Sequence, residues 1–396
     1  MKAKKEKILV AMSGGVDSSV AAALLVEQGY DVTGAYMVNY DDKEQKTKGK
    51  EQAIGQVCCW KDDYRDAVRV AAKLGIQLTK LDFVKEYQEQ VLDYMFKEYE
   101  AGRTPNPDVL CNKFIKFGAW LERIKKLGFD KIATGHYARV FEETRDKKQT
   151  NVKLQITNKS QLPITNYQLQ VPKDENKDQT YFLHQLTQSQ LQYALFPLGD
   201  YTKDEVRELA KKFDLPTANK EESMGICFVG EVPMEGFLQT RIEPKPGEII
   251  MSSGGVIGEH TGLSFYTIGQ RGFEERGKRK EGSDDSKPLY VVDKNFESNQ
   301  LIVGYEDDSL LYKKEILVKD VNWIAGREPD FPLKCKVRLR HRQLMQNASV
   351  EATKLRSYEG EVVIEFDEAQ RAVTPGQFAV FYKDGVCLGG GVIGDC

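Results

Sequence analysis

A glycine-rich turn near the start of the chain limits most strongly what this chain can fold into. The apolar run Ile8–Met12 predicts a buried strand, and the run Val20–Gln28, closed by Gly29, predicts an amphipathic helix. The loop between them reads SGGVDSS. Glycines let a backbone approach a phosphate closely, and the exposed N–H groups at a helix N-terminus favour negative charge. The stretch therefore predicts a nucleotide site, although a plain glycine-rich turn of a βα unit is the alternative.

Asp17 is the unusual residue of this loop, because a carboxylate beside a phosphate is repulsive unless a cation lies between them. A Mg²⁺ ion that bridges Asp17 and the phosphates would remove the conflict. The loop is not a kinase-type P-loop, since no Gly-Lys-Ser/Thr follows at the required spacing. SGGVDSS resembles instead the PP-loop of ATP pyrophosphatases, which split ATP into AMP and pyrophosphate.

Length and composition narrow the class of protein. A chain of 396 residues predicts two or three domains. No apolar stretch is long enough to span a bilayer, and the N-terminal residues do not have the pattern of a signal peptide. Seven cysteines, an odd number in a long chain, argue against a secreted disulfide framework. We therefore expect a cytoplasmic protein, not bound to a membrane, whose thiols are available for chemistry.

Strand and helix patterns alternate over the first part of the chain, which predicts an α/β fold with a doubly wound parallel sheet. We assign residues 1–240 to this domain, with a polar surface insertion over about 142–178. Short alternating segments follow, and they predict a central β domain over 241–313 and a C-terminal β-barrel over 314–396. Ligands of such parallel sheets bind at the carboxyl ends of the strands.

Two cysteines are candidates for chemistry. Cys111 follows the stiff loop RTPNPD and precedes a helical pattern, so we expect it near a helix N-terminus, where a thiolate is stabilised. Lys113 and Lys116 would add to this effect, and Asp108 could accept a proton. Alternatively, Asp108 only caps the helix and Cys111 is a small buried residue. Cys227, between glycines in GICFVG, is by itself more typical of a structural cysteine.

Two stretches, Arg271–Lys280 and Lys334–Arg342, are locally basic although the whole chain has a net charge of −3. Charge alone favours solvated loops or strand faces over a nucleic-acid surface at both places.

Longer motifs make the assignment specific. SGGVDSS, AGRTPNPDVLCNKFIKF, ATGHYAR, KDQTYFL, GICFVG, TIGQR, TPGQ and VCLGGG follow one another in the order found in tRNA-specific 2-thiouridylases. The chain is identified as a member of this family by resemblance over nearly its whole length. Its members replace O2 of the wobble uridine, position 34 of certain tRNAs, with sulfur.

The resemblance implies a role for individual residues. It makes Cys111 and Cys227 the catalytic cysteines, with a persulfide on Cys227, and it places Asp108 in the target-base loop, as the candidate acid/base. The implied ATP-binding residues are Ala11, Met12, Ser13, Gly14, Gly15, Val16, Asp17, Ser18, Met37 and Gly135. The implied target-base and tRNA contacts are Asn106, Pro107, Asp108, His136, Lys177, Asp178, Gln179, Arg340, His341 and Gln377.

The resemblance also implies cofactors and partners. ATP with Mg²⁺ at Asp17 adenylates O2, the persulfide attacks C2, and Cys111 resolves the adduct. The sulfur comes from a cysteine desulfurase or a sulfur-relay protein. The C-terminal barrel, with Arg338, Arg340 and Arg342, clamps the anticodon stem of tRNA, and we expect a monomer.

The chain departs from the family pattern in two places. Met224 replaces a small hydroxyl residue beside Cys227, and a Gln-rich stretch replaces the usual strand before KDQ. Cys58 and Cys59 are outside the transferable motifs, and we interpret them as core or loop cysteines. Three alternatives remain: a PP-loop synthetase for a small molecule, an iron–sulfur tRNA thiolase with Asp108, Cys111 and Cys227 as ligands, and a catalytically idle RNA-binding protein.

Overall fold

The computed structural model describes residues 5–40, 60–144, 165–221, 234–273, 287–353 and 360–395. The strands are β1 (Lys7–Ala11), β2 (Asp31–Val38), β3 (Gln77–Asp82), β4 (Lys131–Ala133), β5 (Arg139–Thr144), β6 (Thr165–Gln170), β7 (Ala194–Leu195), β8 (Gly247–Met251), β9 (Val256–His260), β10 (Arg271–Phe273), β11 (Leu289–Asn295), β12 (Gln300–Gly304), β13 (Tyr312–Trp323), β14 (Leu333–Arg338), β15 (Gln346–Ala352), β16 (Val362–Arg371), β17 (Phe378–Lys383) and β18 (Val386–Ile393).

Two of the helices are long and contain a π-helical turn. The helices are α1 (Val16–Glu27), α2 (Trp60–Leu74), α3 (Val84–Tyr87, Gln88–Leu92 and Asp93–Glu100), α4 (Pro107–Leu110, Cys111–Ala119 and Trp120–Lys126), α5 (Thr180–Leu183), α6 (Gln188–Leu191), α7 (Lys203–Lys212) and α8 (Met234–Gln239). None of the helices in the described ranges is long and apolar enough to cross a membrane.

The predicted parallel sheet is confirmed. Strands β3, β2, β1, β4 and β7 lie side by side in that order, and every pairing between them is parallel. Strand β1 is central and its residues Ile8, Leu9 and Val10 are fully buried, because helices cover both faces of such a sheet. The strand order reverses between β1 and β4, and a reversal of this kind opens a crevice for ligands.

Helix α1 begins four residues earlier than its apolar pattern predicts. It starts at Val16, directly after Gly15, which has an extended backbone at the N-cap position. Asp17, Ser18 and Ser19 therefore belong to the first turn of the helix rather than to a loop. The SGGVDSS stretch consequently aims the N–H groups of a helix N-terminus at the crevice.

The two predicted β domains are confirmed. Strands β10, β11, β12, β8 and β9 form one sheet. Strands β13, β16, β15, β14, β17 and β18 form a second sheet that closes into a barrel, because β13 also pairs with β18. Side chains that alternate along these strands fill the barrel, among them Val337, Val350, Ile364 and Phe381.

The structure differs from the predicted surface insertion at both of its ends. Strand β5 pairs with β6 in antiparallel fashion, and β6 pairs with β18 of the barrel. Leu169 of β6 is fully buried at this junction. The segment has no helical period because both of its described ends are strands, and through them the first domain and the barrel share one extended sheet. Residues 145–164 of the predicted insertion lie outside the described residues.

Candidate active site

The backbone of the SGGVDSS loop passes very close to helix α2. Gly14 has φ of 78°, and a Cβ atom at this position would lie 2.2 Å from the carbonyl oxygen of Asp63. Inside the loop, Ser19 Oγ donates a hydrogen bond to Gly15 O over 2.7 Å. A glycine is therefore required at residue 14 for two reasons, the left-handed backbone and the close approach.

Lys220, a residue not predicted from the sequence, links this loop to α2 by hydrogen bonds. Its Nζ donates to Gly14 O (3.1 Å), Asp63 Oδ1 (2.8 Å) and Asp66 Oδ2 (2.7 Å). Burial works against the charge of Lys220, but the hydrogen bonds to Asp63 and Asp66 outweigh it and hold the lysine pKa above its usual value. No local pattern marks this lysine, because its partners are more than 150 positions away in the sequence.

Asp17 is paired with a lysine from a distant helix. Lys203 Nζ lies 2.7 Å and 2.9 Å from the two carboxylate oxygens, and Tyr137 donates its hydroxyl hydrogen to Oδ1 over 2.9 Å. Lys203 is the first residue of α7, which begins with a capping box formed by Thr202 and Glu205. The cap fixes the start of α7 and with it the position of the ammonium group.

One cleft contains residues from two predicted sites. Its lining includes Ser13, Gly15, Val16 and Asp17 of the predicted ATP loop, Lys177, Gln179 and His341 of the predicted tRNA contacts, and Lys203 and Arg342. Burial lowers the pKa of His341, whose Nε2 lies 3.1 Å from Asp178 O. The cleft therefore combines a helix N-terminus, Lys203, Lys177 and Arg342 around a single opening, a charge pattern suited to phosphates.

The other two predicted ATP residues occupy different environments. Gly135 lies against the start of α1, where a Cβ atom would be 2.8 Å from the backbone nitrogen of Ser18. Met37 is almost completely buried in the hydrophobic core between the sheet and the helices α3 and α4. The structure therefore places Gly135 at the loop and the Met37 side chain beneath it.

Cys111 lies deeper in its helix than the sequence predicts. Helix α4 begins at Pro107, and Asn106 is the N-cap, since its side chain accepts a hydrogen bond from Val109 N (3.3 Å). Cys111 is therefore one turn beyond the N-terminus, where the effect of the helix dipole has largely faded. Its side chain is fully buried, and Asn39 Nδ2 donates to its Sγ over 3.8 Å. Asp108 is half-buried in the first turn and is not the cap.

The two lysines near Cys111 are both partly or fully buried, and Lys113 has a hydrogen-bond partner of its own. Lys113 Nζ donates to Gln185 Oε1 over 2.9 Å, and burial lowers the pKa of Lys113. Lys116 is buried, and burial together with the positive charge of Lys116 holds the pKa of His136 well below its usual value. His136 is therefore neutral, with Nδ1 2.7 Å from Thr134 Oγ1. A neutral imidazole at this place can accept or donate a hydrogen bond but does not attract phosphate.

The loop before α4 is held by all three domains. Gln377 of the barrel donates from Nε2 to Thr104 O (2.8 Å) and Pro105 O (3.2 Å), and its Oε1 accepts from Asn106 Nδ2 (3.5 Å). Thr267 of the central domain shares a hydrogen bond of 3.1 Å with Thr104. The predicted target-base loop and the predicted tRNA contact Gln377 thus form one hydrogen-bonded unit.

We expect Gln377→Glu to loosen this loop. Glutamate has almost the same shape but no N–H donor, so two carbonyl groups lose their partner and a carboxylate faces them. The rate of the thiolation expected from the sequence should fall about tenfold, and the affinity for tRNA should change much less. Single-turnover rates and tRNA binding measured on the same preparations check this. A large loss of tRNA affinity without a change in rate would contradict the loop assignment.

Two of the predicted anticodon-stem arginines have internal partners. Arg338 is buried, and its Nη1 lies 2.8 Å from Asp178 Oδ2, so this pair joins the barrel to the segment before α5. Arg340 Nη2 donates to Ala372 O (2.6 Å) and Thr374 Oγ1 (2.9 Å). Strand alternation places Arg338 on the same face of β14 as Lys334 and Lys336, opposite the barrel-facing Val337, and Asp178 covers it there, while Arg342 lines the cleft. Arg338 of the predicted clamp and Asp178 of the predicted tRNA contacts are therefore buried against each other.

Breaking the buried pair should destabilise the protein strongly. We expect Arg338→Ala to lower the free energy of unfolding by roughly 3–5 kcal/mol, because the Asp178 carboxylate would remain buried without its cation. Urea unfolding of the two proteins measures this difference. Arg342→Ala, which removes an exposed arginine from the turn after β14, should change stability by less than about 0.5 kcal/mol. Equal effects of the two substitutions would contradict the structural role.

Comparison with known proteins agrees with this architecture. The family described as "tRNA methyl transferase HUP domain" matches residues 6–231, the "tRNA methyl transferase PRC-barrel domain" matches 235–305, and the "Aminomethyltransferase beta-barrel domain" matches 313–393. The tRNA-specific 2-thiouridylase MnmA of Halalkalibacterium halodurans is 44% identical over 98% of this chain and 95% of its own. The chain belongs to the family of tRNA-specific 2-thiouridylases.

Other members of the thiouridylase family show the same similarity. The proteins of that name from Paraburkholderia phytofirmans and Acinetobacter baumannii (strain SDF) are 43% and 42% identical, each over 98% of this chain and over 94% and 97% of their own lengths. The family membership makes the chain an enzyme of the sulfurtransferase class. Cys227, Cys58 and Cys59 lie outside the described residues. Among the described residues no three His, Cys, Asp or Glu side chains are grouped as metal ligands.

Proposed function

We propose that the chain replaces O2 of the wobble uridine of tRNA with sulfur, in a reaction that converts ATP to AMP and pyrophosphate. The observation that carries this proposal is the position of Cys111. Helix α4 holds it against Asn39, at the carboxyl end of β2, beside the strand that leads into the SGGVDSS loop. A phosphate loop and a thiol at one edge of a sheet can activate a carbonyl oxygen and then deliver sulfur to the carbon.

Adenylation of O2 comes first in this proposal, because ring resonance makes C2 of uracil a poor electrophile. The N–H groups at the start of α1 and the ammonium group of Lys203 face the place where pyrophosphate is expelled, and they stabilise the developing charge. The Asp17 carboxylate is about one-third exposed to the cleft, and Mg²⁺ is commonly bound by one or two carboxylates plus phosphates. Asp17 would hold Mg²⁺ after Lys203, which contacts both carboxylate oxygens here, moves from Asp17 to the phosphates. When bound, Mg²⁺ would neutralise phosphate charge beside Asp17.

Sulfur transfer then uses the two cysteines. The outer sulfur of a persulfide on Cys227 attacks C2, and AMP leaves with the oxygen. The Cys111 thiolate attacks the inner sulfur, so a Cys111–Cys227 disulfide forms while the bond to the outer sulfur breaks and its electron pair stays on the base. A thiol reductant resets the disulfide. Asp108, in the first turn of α4, is the proposed acid/base and positions the base.

The proposed partners follow from this chemistry. Uridine 34 must leave the anticodon stack to reach a pocket, as for other enzymes that act on bases. Lys177, Gln179, His341 and Arg342 surround the cleft and are the proposed contacts to the RNA. A cysteine desulfurase or a relay protein supplies the sulfur. We propose that the enzyme acts in the cytoplasm as a monomer.

Mass spectrometry of nucleosides tests the proposal. Unmodified tRNA with U34 is incubated with the enzyme, ATP, Mg²⁺ and a sulfide source, with Cys227→Ser in parallel. We expect 2-thiouridine at position 34 from the unaltered chain and none from the variant. AMP release with a small acceptor, without thiouridine, would instead favour a PP-loop synthetase. Iron in the anaerobically purified protein would favour an iron–sulfur thiolase.

A further inference from the structure

Asn39 is a buried polar residue to which neither the motifs nor the proposed reaction assign a role. It is the first residue after β2, and only 2% of its surface is exposed. Strand β2 pairs with β1 along its length, and Met12 N donates to Ala35 O over 2.9 Å just before the SGGVDSS loop begins. Asn39 therefore lies between the nucleotide loop and helix α4.

The side chain of Asn39 makes one hydrogen bond that bears on chemistry. Its Nδ2 donates to Cys111 Sγ over 3.8 Å, and Cys111 is fully buried. Its Oδ1 has no hydrogen-bond partner among the residues that the structure describes. An apolar side chain of similar shape would avoid an unpaired carbonyl here, because a buried polar atom without a partner destabilises the fold. Within the described residues, the N–H donor is thus the part of this carboxamide that has a partner.

We propose that Asn39 is a positioning residue that holds the sulfur of Cys111 in line and favours its thiolate. A thiolate accepts a hydrogen bond more strongly than a thiol, so an amide N–H directed at the sulfur stabilises the charged form. Burial has the opposite effect, since it disfavours a charge. The hydrogen bond from Asn39 thus offsets part of the energetic cost of holding a thiolate at the buried position of Cys111.

The proposal rests on the proposed role of Cys111 as the thiolate that attacks the inner sulfur of the Cys227 persulfide. In that step the nucleophile must be deprotonated before the sulfur–sulfur bond is exchanged. A donor at 3.8 Å also restricts the direction of Sγ. Asn39 would act through the sulfur of Cys111, to which its Nδ2 donates.

Asn112 offers a matched control. It too is 2% exposed, and its Oδ1 also lacks a partner within the described ranges. Its Nδ2, however, donates to the backbone oxygen of Phe182 over 3.2 Å and not to sulfur. Asn39→Leu and Asn112→Leu both replace a buried carboxamide by an apolar group of similar shape, but only the first removes a donor to Cys111.

The experiment measures the ionisation of Cys111 directly. The ¹³Cβ chemical shift of labelled cysteine is followed against pH in the full-length protein, with the Cys111 signal assigned from Cys111→Ser. In Asn39→Leu we expect the pKa of Cys111 to rise by roughly one to two units, and in Asn112→Leu to stay within about half a unit of the unaltered protein. Asp108, Lys113 and Lys116 of the same helix are present in both variants, so their charges do not produce the difference.

Single-turnover thiolation supplies the second readout. In Asn39→Leu the rate near pH 7 should fall about tenfold or more and recover at higher pH, whereas a purely structural role would lower the rate equally at every pH. Asn39→Asp, of the same size, should raise the pKa of Cys111 further, because a carboxylate disfavours a neighbouring thiolate. This variant replaces Asn39→Leu in the test if the leucine variant does not fold. An unchanged pKa in both Asn39 variants overturns the proposal.

The two proposals fail in distinguishable ways. Thiolation by Cys111→Ser would overturn the role of Cys111 in the reaction, while the chemical-shift titration would still decide whether Asn39 stabilises its thiolate. If thiolation is lost in Cys111→Ser but the Asn39 variants leave the pKa of Cys111 unchanged, the proposed reaction is supported and the role of Asn39 is rejected.

Discussion

Replacing Cys111 by serine should abolish the formation of 2-thiouridine while ATP binding persists. The hydroxyl of serine is nearly isosteric with the thiol, but it is not ionised near neutral pH and does not exchange with sulfur–sulfur bonds. We expect the thiolation rate to fall by more than about a thousandfold, as when other enzymes lose a nucleophile. Nucleoside mass spectrometry measures thiouridine, and equilibrium binding of a labelled nucleotide measures the ATP site.

Cys335→Ala is the control for the loss of a cysteine as such. Cys335 is buried inside the barrel, and burial raises the pKa of its thiol to about 12, so it is unreactive at neutral pH. Its replacement should leave the thiolation rate within about a factor of two or three of the unaltered protein. Equal losses in Cys111→Ser and Cys335→Ala, or substantial thiolation by Cys111→Ser, would contradict the proposed mechanism.

Replacing Gly14 by alanine should eliminate ATP binding at the SGGVDSS loop. The new Cβ atom would lie 2.2 Å from the backbone oxygen of Asp63, a distance at which atoms cannot stay, and residue 14 has φ of 78°. The loop must move away from α2, and Lys220, which donates to Gly14 O, loses its geometry. We expect nucleotide affinity to fall by more than about a hundredfold and the melting temperature to fall by several degrees.

Gly128→Ala separates the effect of the left-handed backbone from the effect of the steric contact. Gly128 has φ of 79°, close to that of Gly14, but nothing lies within 4 Å of an added Cβ atom. This variant should show only backbone strain, about 1 kcal/mol, with unchanged nucleotide affinity. Isothermal titration calorimetry and thermal unfolding of both variants provide the comparison. Tight nucleotide binding by Gly14→Ala would show that the loop is not held as described.

The local pattern of the chain was enough to predict most of the elements. The apolar run before SGGVDSS predicts β1, and Thr202 followed by the acidic residues Asp204 and Glu205 predicts the start of α7, because both signals depend on neighbours within a few residues. The N-cap Asn106 was not predicted. Asp108, the residue considered as a cap, lies in the first turn of α4 instead. Strands β5 and β6 were not predicted either: β5 pairs with β6, and the other partner of β6, strand β18, lies more than 200 residues away in the sequence.

The sequence by itself determined the phosphate-binding loop, the parallel sheet and the family, because each depends on residue types at short and regular spacings. Only the tertiary structure determined which distant polar and charged groups are paired. It brought Lys203 to Asp17, Lys220 to Gly14 and Gln377 to the predicted target-base loop, and it buried Arg338 against Asp178. These contacts join segments that are distant in the chain, and they form because side-chain packing, not local propensity, sets how distant segments lie against one another.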